Sequence, residues 1–301
     1  MRLPPILRLP LALCLLPLPA LADAPVVVTD IPPVHALVSM VMGDLGAPVL
    51  LLAPGADEHD FQLRPSQMQS LADADLIIWI SPDLTPWLDR ATQTTTAPML
   101  TLLTAPETRA QDYPVSRTTT ADVAEPDLSG TDPHVWLNPD NAWNWLPLIA
   151  ANLAQADPAN AAAYAANAAA AQTAIAALQA ELTASLAPII AKPFVTYHNA
   201  YGYFASHFAL NYAGALADGE AAEPGAGHLV ALQAQLTAEN IGCVFPEAQH
   251  DPVLAAQLLD GTPAKLGGAL DPVGSTLEPG PDAYATLLRG LAATLIACLH
   301  G

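Results

Sequence analysis

From residue 25 onward, short and almost uninterrupted apolar runs alternate with stretches whose apolar residues recur at helical spacing. PVVV (25–28), VLLL (49–52), LIIWI (76–80) and MLTLL (99–103) predict strands, and the lack of polar alternation within them suits strands covered on both faces. The intervening segments 34–42, 66–72 and 86–91 predict helices, and a further helix opens at Pro139. After residue 192 the alternation starts again. PFVTY (193–197), NYAGAL (211–216), IGCVF (241–245) and LGGAL (266–270) predict strands, with helices over 200–208, 229–238, 252–259 and 282–299. Such alternation is the mark of parallel α/β structure.

Two segments interrupt the pattern. Residues 104–131 mix Pro, Thr, Asp, Glu and Ser without apolar periodicity and predict a long surface loop. Residues 157–187 are dominated by alanine, with Asp157 at an N-cap position, Pro158 at the first helical position and Pro188 at the end. Tyr164, Ile175, Leu178, Leu182 and Leu186 form an apolar stripe along this stretch, which predicts one long helix. The expected architecture is an α/β protein of two lobes, residues 23–156 and 188–301. Each lobe is a parallel sheet flanked by helices, and the long, rigid α-helix of 157–187 joins them.

Residues 1–22 stand outside this plan. Arg2 and Arg8 flank the start of an apolar run, and Ala20-Leu21-Ala22 forms an A-x-A cleavage site before Asp23, so the segment reads as a cleaved secretory signal peptide. The run is short and proline-rich for a permanent membrane helix, and the bulky Leu13 before Cys14 disfavours a lipoprotein signal. Loss of the two leader arginines from the nine basic residues leaves seven against 29 acidic ones, a formal net charge of −22 in place of −20. That surface repels nucleic acid and draws cations, although solubility alone accounts for it and acidity identifies no ligand. Two cysteines remain, Cys243 and Cys298. An even number in an oxidising compartment predicts a disulfide between them, against two buried thiols as the alternative.

Four residues have positions suited to a cation. His59, in PGADEHDFQLRPS, follows the strand VLLL. His134, in DPHVWLNP, is held between a proline and Val135-Trp136, with Trp136 anchoring its loop. His198 follows FVTY, and Asp271 follows LGGAL. Ligands of parallel α/β sheets gather at the carboxyl ends of strands. His59 and His134 belong to the first lobe, His198 and Asp271 to the second, so a cation held by all four lies in the inter-lobe cleft. Three imidazoles and one carboxylate suit tetrahedral Zn²⁺. The spacings are too long for a local motif, and H-E-x-x-H is absent.

Seven stretches spread over the chain, PGADEHDFQLRPS (54–66), LADADLIIWI (71–80), DPHVWLNPDNA (132–142), FVTYHNAYGYF (194–204), PGAGHL (224–229), CVFPEAQ (243–249) and ALDPVGSTLEPGPDAY (269–284), resemble in sequence and order those of the ZnuA-like zinc-binding receptors of ABC importers. The resemblance implies two α/β lobes joined by one long helix, matching the independent reading. It implies metal ligands at His59, His134, His198 and Asp271, with Glu58, placed near the metal in some members, as a fourth or alternative ligand. Manganese-type relatives carry a carboxylate where His198 stands, so a third imidazole favours Zn²⁺. Glu247 is expected to orient a histidine from behind. The implied function is a periplasmic, monomeric receptor that hands Zn²⁺ to a membrane ABC permease.

Two departures matter. The segment 104–131 lacks the histidine tract that many such receptors carry there, holding Glu107, Asp112, Asp122, Glu125 and Asp127 instead. Some loop-poor relatives receive zinc from a periplasmic metallochaperone, and that is the expectation here. His250 in PEAQH replaces a common aromatic residue, as an exposed loop histidine or a secondary ligand near the cleft. His35 and His228 read as structural, His207 as helix surface and His300 as frayed terminus. The rival readings are a manganese or iron receptor of the same architecture, a surface adhesin, and a zinc-dependent hydrolase. Four protein ligands leave no open position for the activated water a hydrolase needs.

Overall fold

The runs VVT and LIIW are buried throughout, which is why they pair as inner strands. The computed structural model describes residues 24–113, 130–217 and 224–300. Within them β1 (Val27–Thr29), β2 (Val49–Leu50), β3 (Leu76–Trp79) and β4 (Met99–Thr101) form a parallel sheet of order β2-β1-β3-β4, with Val28 opposite both Val49 and Ile77. A second parallel sheet has order β6-β5-β7-β8, from β5 (Phe194–His198), β6 (Tyr212–Ala217), β7 (Cys243–Phe245) and β8 (Lys265–Leu266). Each sheet reverses its winding beside its first strand, between β1 and β3 and between β5 and β7, which opens a crevice at the carboxyl ends.

In the first sheet the crevice is closed by Asp30, whose carboxylate accepts the backbone N–H groups of Ile31 and Ile80, both at 2.8 Å. Burial raises its pKa to about 7 against these hydrogen bonds. In the second sheet the crevice holds His198, the last residue of β5, and Glu247, two residues beyond β7.

The helices are α1 (Pro32–Met42), α2 (Pro65–Ala72), α3 (Pro86–Thr92), α4 (Pro139–Ala156), α5 (Ala161–Leu186), α6 (Gly202–His207), α7 (Ala226–Ala238), α8 (Val253–Leu258) and α9 (Ala283–Leu299). Proline opens α2, α3 and α4, where its missing N–H costs nothing. The predicted long helix is present as the 26 residues of α5, burying Tyr164, Ala168, Ala171, Ile175, Leu178, Leu182 and Leu186 along one stripe. Its first turn differs from expectation. Residues 158–160 form a 3₁₀ turn, and the Asp157 carboxylate accepts from Asn160 Nδ2 (2.6 Å) and the Tyr164 hydroxyl (2.9 Å) instead of capping the backbone.

One buried core runs through both lobes, because α1 packs on α5 and α9 as well as on α4. A smaller core lies between the second sheet and α7 and α8. Cys243 of β7 and Cys298 of α9 are joined, their Cα atoms 6.3 Å apart.

The predicted strand 266–270 is not continuous. β8 stops at Leu266, and the chain then passes so close to Phe245 that a Cβ at Gly267 would collide with the ring. Pairing resumes only as a bridge between Leu270 and Glu247. Asp271 therefore leaves a single bridge, not a strand. The expected 1–22 leader and most of the 104–131 loop, residues 114–129, lie outside the described residues. The described flanks of that loop are joined by the bridge Asp112–Thr131. Among the described residues no helix is long and apolar enough to cross a membrane.

Candidate metal centre

His59 sits on the loop that follows β2. Asp57 Oδ1 accepts the His59 N–H at 2.7 Å, a local turn that fixes the direction of the next side chains. The Trp87 indole of α3 donates to the Glu58 carbonyl at 2.8 Å and packs edge-on against Phe61. Glu58 is thereby pointed inward and is only 2% exposed. Its Oε1 has no hydrogen-bond partner and lies 3.7 Å from His59 Nε2. Burial raises the Glu58 pKa to about 7, with His59 and His198 pulling the other way.

His134 opens a 3₁₀ turn before α4 and is completely buried. Asp132 Oδ1 takes both its backbone N–H (2.9 Å) and its Nδ1 (2.7 Å), which assigns the ring proton to Nδ1 and leaves Nε2 as a donor atom to the cleft. Trp136 anchors this loop across the cleft, its indole donating to the Pro272 carbonyl at 2.8 Å while Tyr284 of α9 donates to the Trp136 carbonyl at 2.8 Å.

His198 is held in the same way from the second lobe. Its Nδ1 lies 2.6 Å from Glu247 Oε2, and its N–H donates to Oε1 at 3.3 Å. Burial alone would lower the His198 pKa, but the Glu247 charge and hydrogen bond outweigh it and raise the pKa above the ordinary imidazole value. The Tyr201 hydroxyl, buried beside Glu247, is pushed far up by burial first and by Glu247 second.

The three imidazole rings face one another with centroids 5.2 to 5.8 Å apart. His134 Nε2 and His198 Nε2 are 3.3 Å apart. Four ligands at zinc distances of ~2.0–2.1 Å stand about 3.3–3.4 Å from one another at the corners of a tetrahedron. One atom each from Glu58, His59, His134 and His198 lies within 4.8 Å of all the others. Four converging donors backed by buried carboxylates can hold a cation that replaces the protons of the group.

Asp271 is not brought into this group. Its carboxylate turns back onto its own loop and accepts from Gln249 Nε2 (2.9 Å), Ser275 N (3.1 Å) and Thr276 N and Oγ1 (3.1 and 2.9 Å). His250 is half-buried, its ring stacked on Tyr197 at 4.2 Å and its Nε2 3.9 Å from Glu247 Oε2. It stands behind the donor group rather than in it. His35 and His228 bond backbone carbonyls of Pro48 and Ala215. His207 lies 3.8 Å from Asp140, less exposed than a helix-surface position implies.

Asp132 was not singled out from sequence, although D-x-H is the spacing at which one carboxylate reaches both the N–H and Nδ1 of the following histidine. Tyr203, whose hydroxyl takes the Gln111 N–H at 2.9 Å and donates to the Asp132 carbonyl at 2.8 Å, carries no such local signature.

Comparison with known proteins gives one answer. Residues 27–298 match the family model "ZnuA: Zinc-uptake complex component A periplasmic". The chain is 46% identical over 306 residues to the "High-affinity zinc uptake system protein ZnuA" of Paracoccus denitrificans (strain Pd 1222), covering 94% of each chain. The protein of the same name from Brucella abortus (strain 2308) is 33% identical over 305 residues, covering 91% of each. Among solved structures, a ZnuA crystal structure superposes with TM-score 0.77 at 24% identity, over 92% of this chain and all of the other. The FpvC solute-binding protein of Pseudomonas aeruginosa in complex with Mn²⁺ gives 0.75 at 21% identity, over 91% of this chain and 97% of the other. That fold is thus compatible with more than one metal. With nearly the whole folded chain matched, the protein belongs to the ZnuA family of periplasmic zinc-uptake components.

Proposed function

We propose that this protein is the periplasmic receptor of a zinc importer, which captures one Zn²⁺ between its lobes and delivers it to a membrane ABC permease. The observation that carries the reading is the convergence of Glu58, His59, His134 and His198 on one point, with Asp132 and Glu247 fixing the tautomers of two imidazoles. Glu58 takes the fourth corner and Asp271 stays outside the coordination sphere. Zinc is favoured over manganese because three imidazoles and one carboxylate form a borderline-soft tetrahedral set, whereas Mn²⁺ prefers oxygen donors and higher coordination. The names of the relatives support the same choice.

Binding is the whole chemistry of the site. Four protein donors fill the tetrahedron, so no position remains for an activated water, which argues against a hydrolase. The leader 1–22 directs export and is removed after Ala22, and the receptor works as a monomer. A periplasmic metallochaperone serves in place of the missing histidine tract.

The test is a competitive titration of metal-free protein with Zn²⁺ and Mn²⁺, run alongside His198→Ala. One tight zinc equivalent, weak manganese binding and a large loss in the variant are expected. Equal or preferential manganese binding, or an unaffected variant, would refute the ligand set.

A further inference from the structure

We infer that Asp271 is a positioning residue: it staples the turn 271–276 into a hub to which every segment presenting a donor is tied, and so sets the geometry on which zinc selectivity rests. The inference rests on the proposed receptor reading and deepens it. The Asp271 carboxylate closes the turn through the N–H groups of Ser275 and Thr276 and the Thr276 hydroxyl. Closed in this way, the turn aims two carbonyls at the other lobe. The Ser275 carbonyl accepts the Gly55 N–H at 2.9 Å, on the loop of Glu58 and His59. The Pro272 carbonyl accepts the Trp136 indole at 2.8 Å, on the loop of His134. The third tie runs within the second lobe. Gln249 donates to Asp271 Oδ1 (2.9 Å) and to Ser275 Oγ (2.8 Å), and it stands two residues from Glu247, the partner of His198.

Three segments thus share one reference point besides their other contacts, and that point is organised by a single carboxylate. Both oxygens of this carboxylate are engaged, Oδ1 by Gln249 and the Ser275 N–H and Oδ2 by Thr276. Its removal frees the turn, lets the Glu58–His59 loop and the His134 loop drift relative to His198, and loosens the tetrahedron. Zinc, bound by a compact four-coordinate set, suffers more than Mn²⁺, which tolerates longer bonds and more oxygen ligands.

The experiment compares the wild-type protein with Asp271→Ala, Thr276→Ala and Glu58→Gln. It measures Zn²⁺ and Mn²⁺ affinity, the visible absorption of the Co²⁺-loaded form, and the unfolding midpoint of the metal-free form. Thr276 is exposed, so its variant folds even if Asp271→Ala does not. Asp271→Ala is expected to weaken zinc about 10–100-fold, the usual cost of removing a partner that orients ligands. It should narrow the zinc-to-manganese ratio and leave the cobalt bands in place. Thr276→Ala should give a smaller loss in the same direction, and Glu58→Gln should change the cobalt bands. Cobalt bands altered by Asp271→Ala and untouched by Glu58→Gln would make Asp271 a ligand and overturn the inference while the receptor reading stands. A lowered unfolding midpoint with an unchanged zinc-to-manganese ratio would reduce Asp271 to a structural residue and overturn it equally. Failure of the wild-type protein to bind zinc would overturn both.

Discussion

Replacing Glu247 by Gln should weaken zinc binding at neutral pH and make it less sensitive to acid. Both effects follow from one contact, the 2.6 Å pair between Glu247 Oε2 and His198 Nδ1. A hydrogen bond to a charged group contributes ~1.5–3 kcal/mol where a neutral one contributes about 1. The substitution therefore removes roughly 1–2 kcal/mol of support for the metal-bound imidazole, on the order of 5–30-fold in affinity. The sign of the pH effect comes from competition. Glu247 raises the His198 pKa above the free value of 6.5, so in the wild-type protein a proton contests Nε2 from a higher pH downward. Without that charge, burial and the neighbouring His59 pull the pKa below the free value, and the proton competes only in more acidic solution.

The ratio of wild-type to variant affinity should accordingly shrink between pH 7.5 and pH 6. Glu58, which also titrates at about 7, is common to both proteins and largely cancels in that ratio. Competition against a fluorescent chelator at the two pH values measures it. A ratio that holds constant or grows on acidification would show that Glu247 does not act through the basicity of His198.

Two further outcomes are expected. Glu58 has its folded pKa raised from 4.5 to about 7, so its contribution favours folding fully below the unfolded value and is lost as pH rises through 7. That amounts to about 3 kcal/mol of destabilisation in the metal-free protein at pH 8. Glu58→Gln should therefore raise the thermal midpoint of the metal-free form at pH 8, leave it nearly unchanged at pH 4.5, and shrink the stabilisation by zinc; calorimetry with and without metal checks all three. Reduction of the Cys243–Cys298 bond, which closes a sequence separation of 55, should cost about 4 kcal/mol by the loop-entropy estimate, read as a lower denaturation midpoint in the presence of reductant.

The inner strands were legible because burial on both faces leaves an unbroken apolar run, as in LIIW, and no other element writes that pattern so plainly. LGGAL looked like the same pattern and was not. The two glycines that make it apolar also let the backbone leave the ladder against Phe245, and that event belongs to a neighbouring strand, out of reach of periodicity. Asp271 joined the three histidines through its place after LGGAL together with the family resemblance, and neither shows that its carboxylate is engaged by the turn 271–276. Glu58 entered as a fourth or alternative ligand through the family resemblance alone, because an acidic residue in a run of Asp, Glu and His carries no sign of burial in its own sequence. The Trp87 bond that holds its carbonyl comes from a helix 29 residues away, out of reach of the local pattern. Asp132 was readable in principle, since its spacing to His134 is local. Glu247 was expected to orient a histidine, but which one is decided by the adjacency of β5 and β7, since Glu247 and His198 are 49 residues apart.

The same cross-lobe bonds constrain how loading is signalled. A hinge opening of the lobes would break the Trp136–Pro272, Tyr284–Trp136 and Tyr203–Asp132 bonds, all between buried groups. Each broken bond costs about 1 kcal/mol net and more if its partners stay dry. It would also shear α1 from α5 and α9, which share one core. The Glu58–His59 loop is held within its own lobe by the Asp57 turn and the Trp87 bond and meets the other lobe at the Gly55–Ser275 bond. That loop also carries Glu58, whose charge burial disfavours and a cation would relieve, so metal binding and loop ordering act on the same side chain. Zinc should therefore leave the small-angle scattering profile unchanged and slow hydrogen exchange over residues 55–60. A lobe rotation visible in scattering, with exchange in this loop unaltered, would place the signal in the hinge that these contacts oppose.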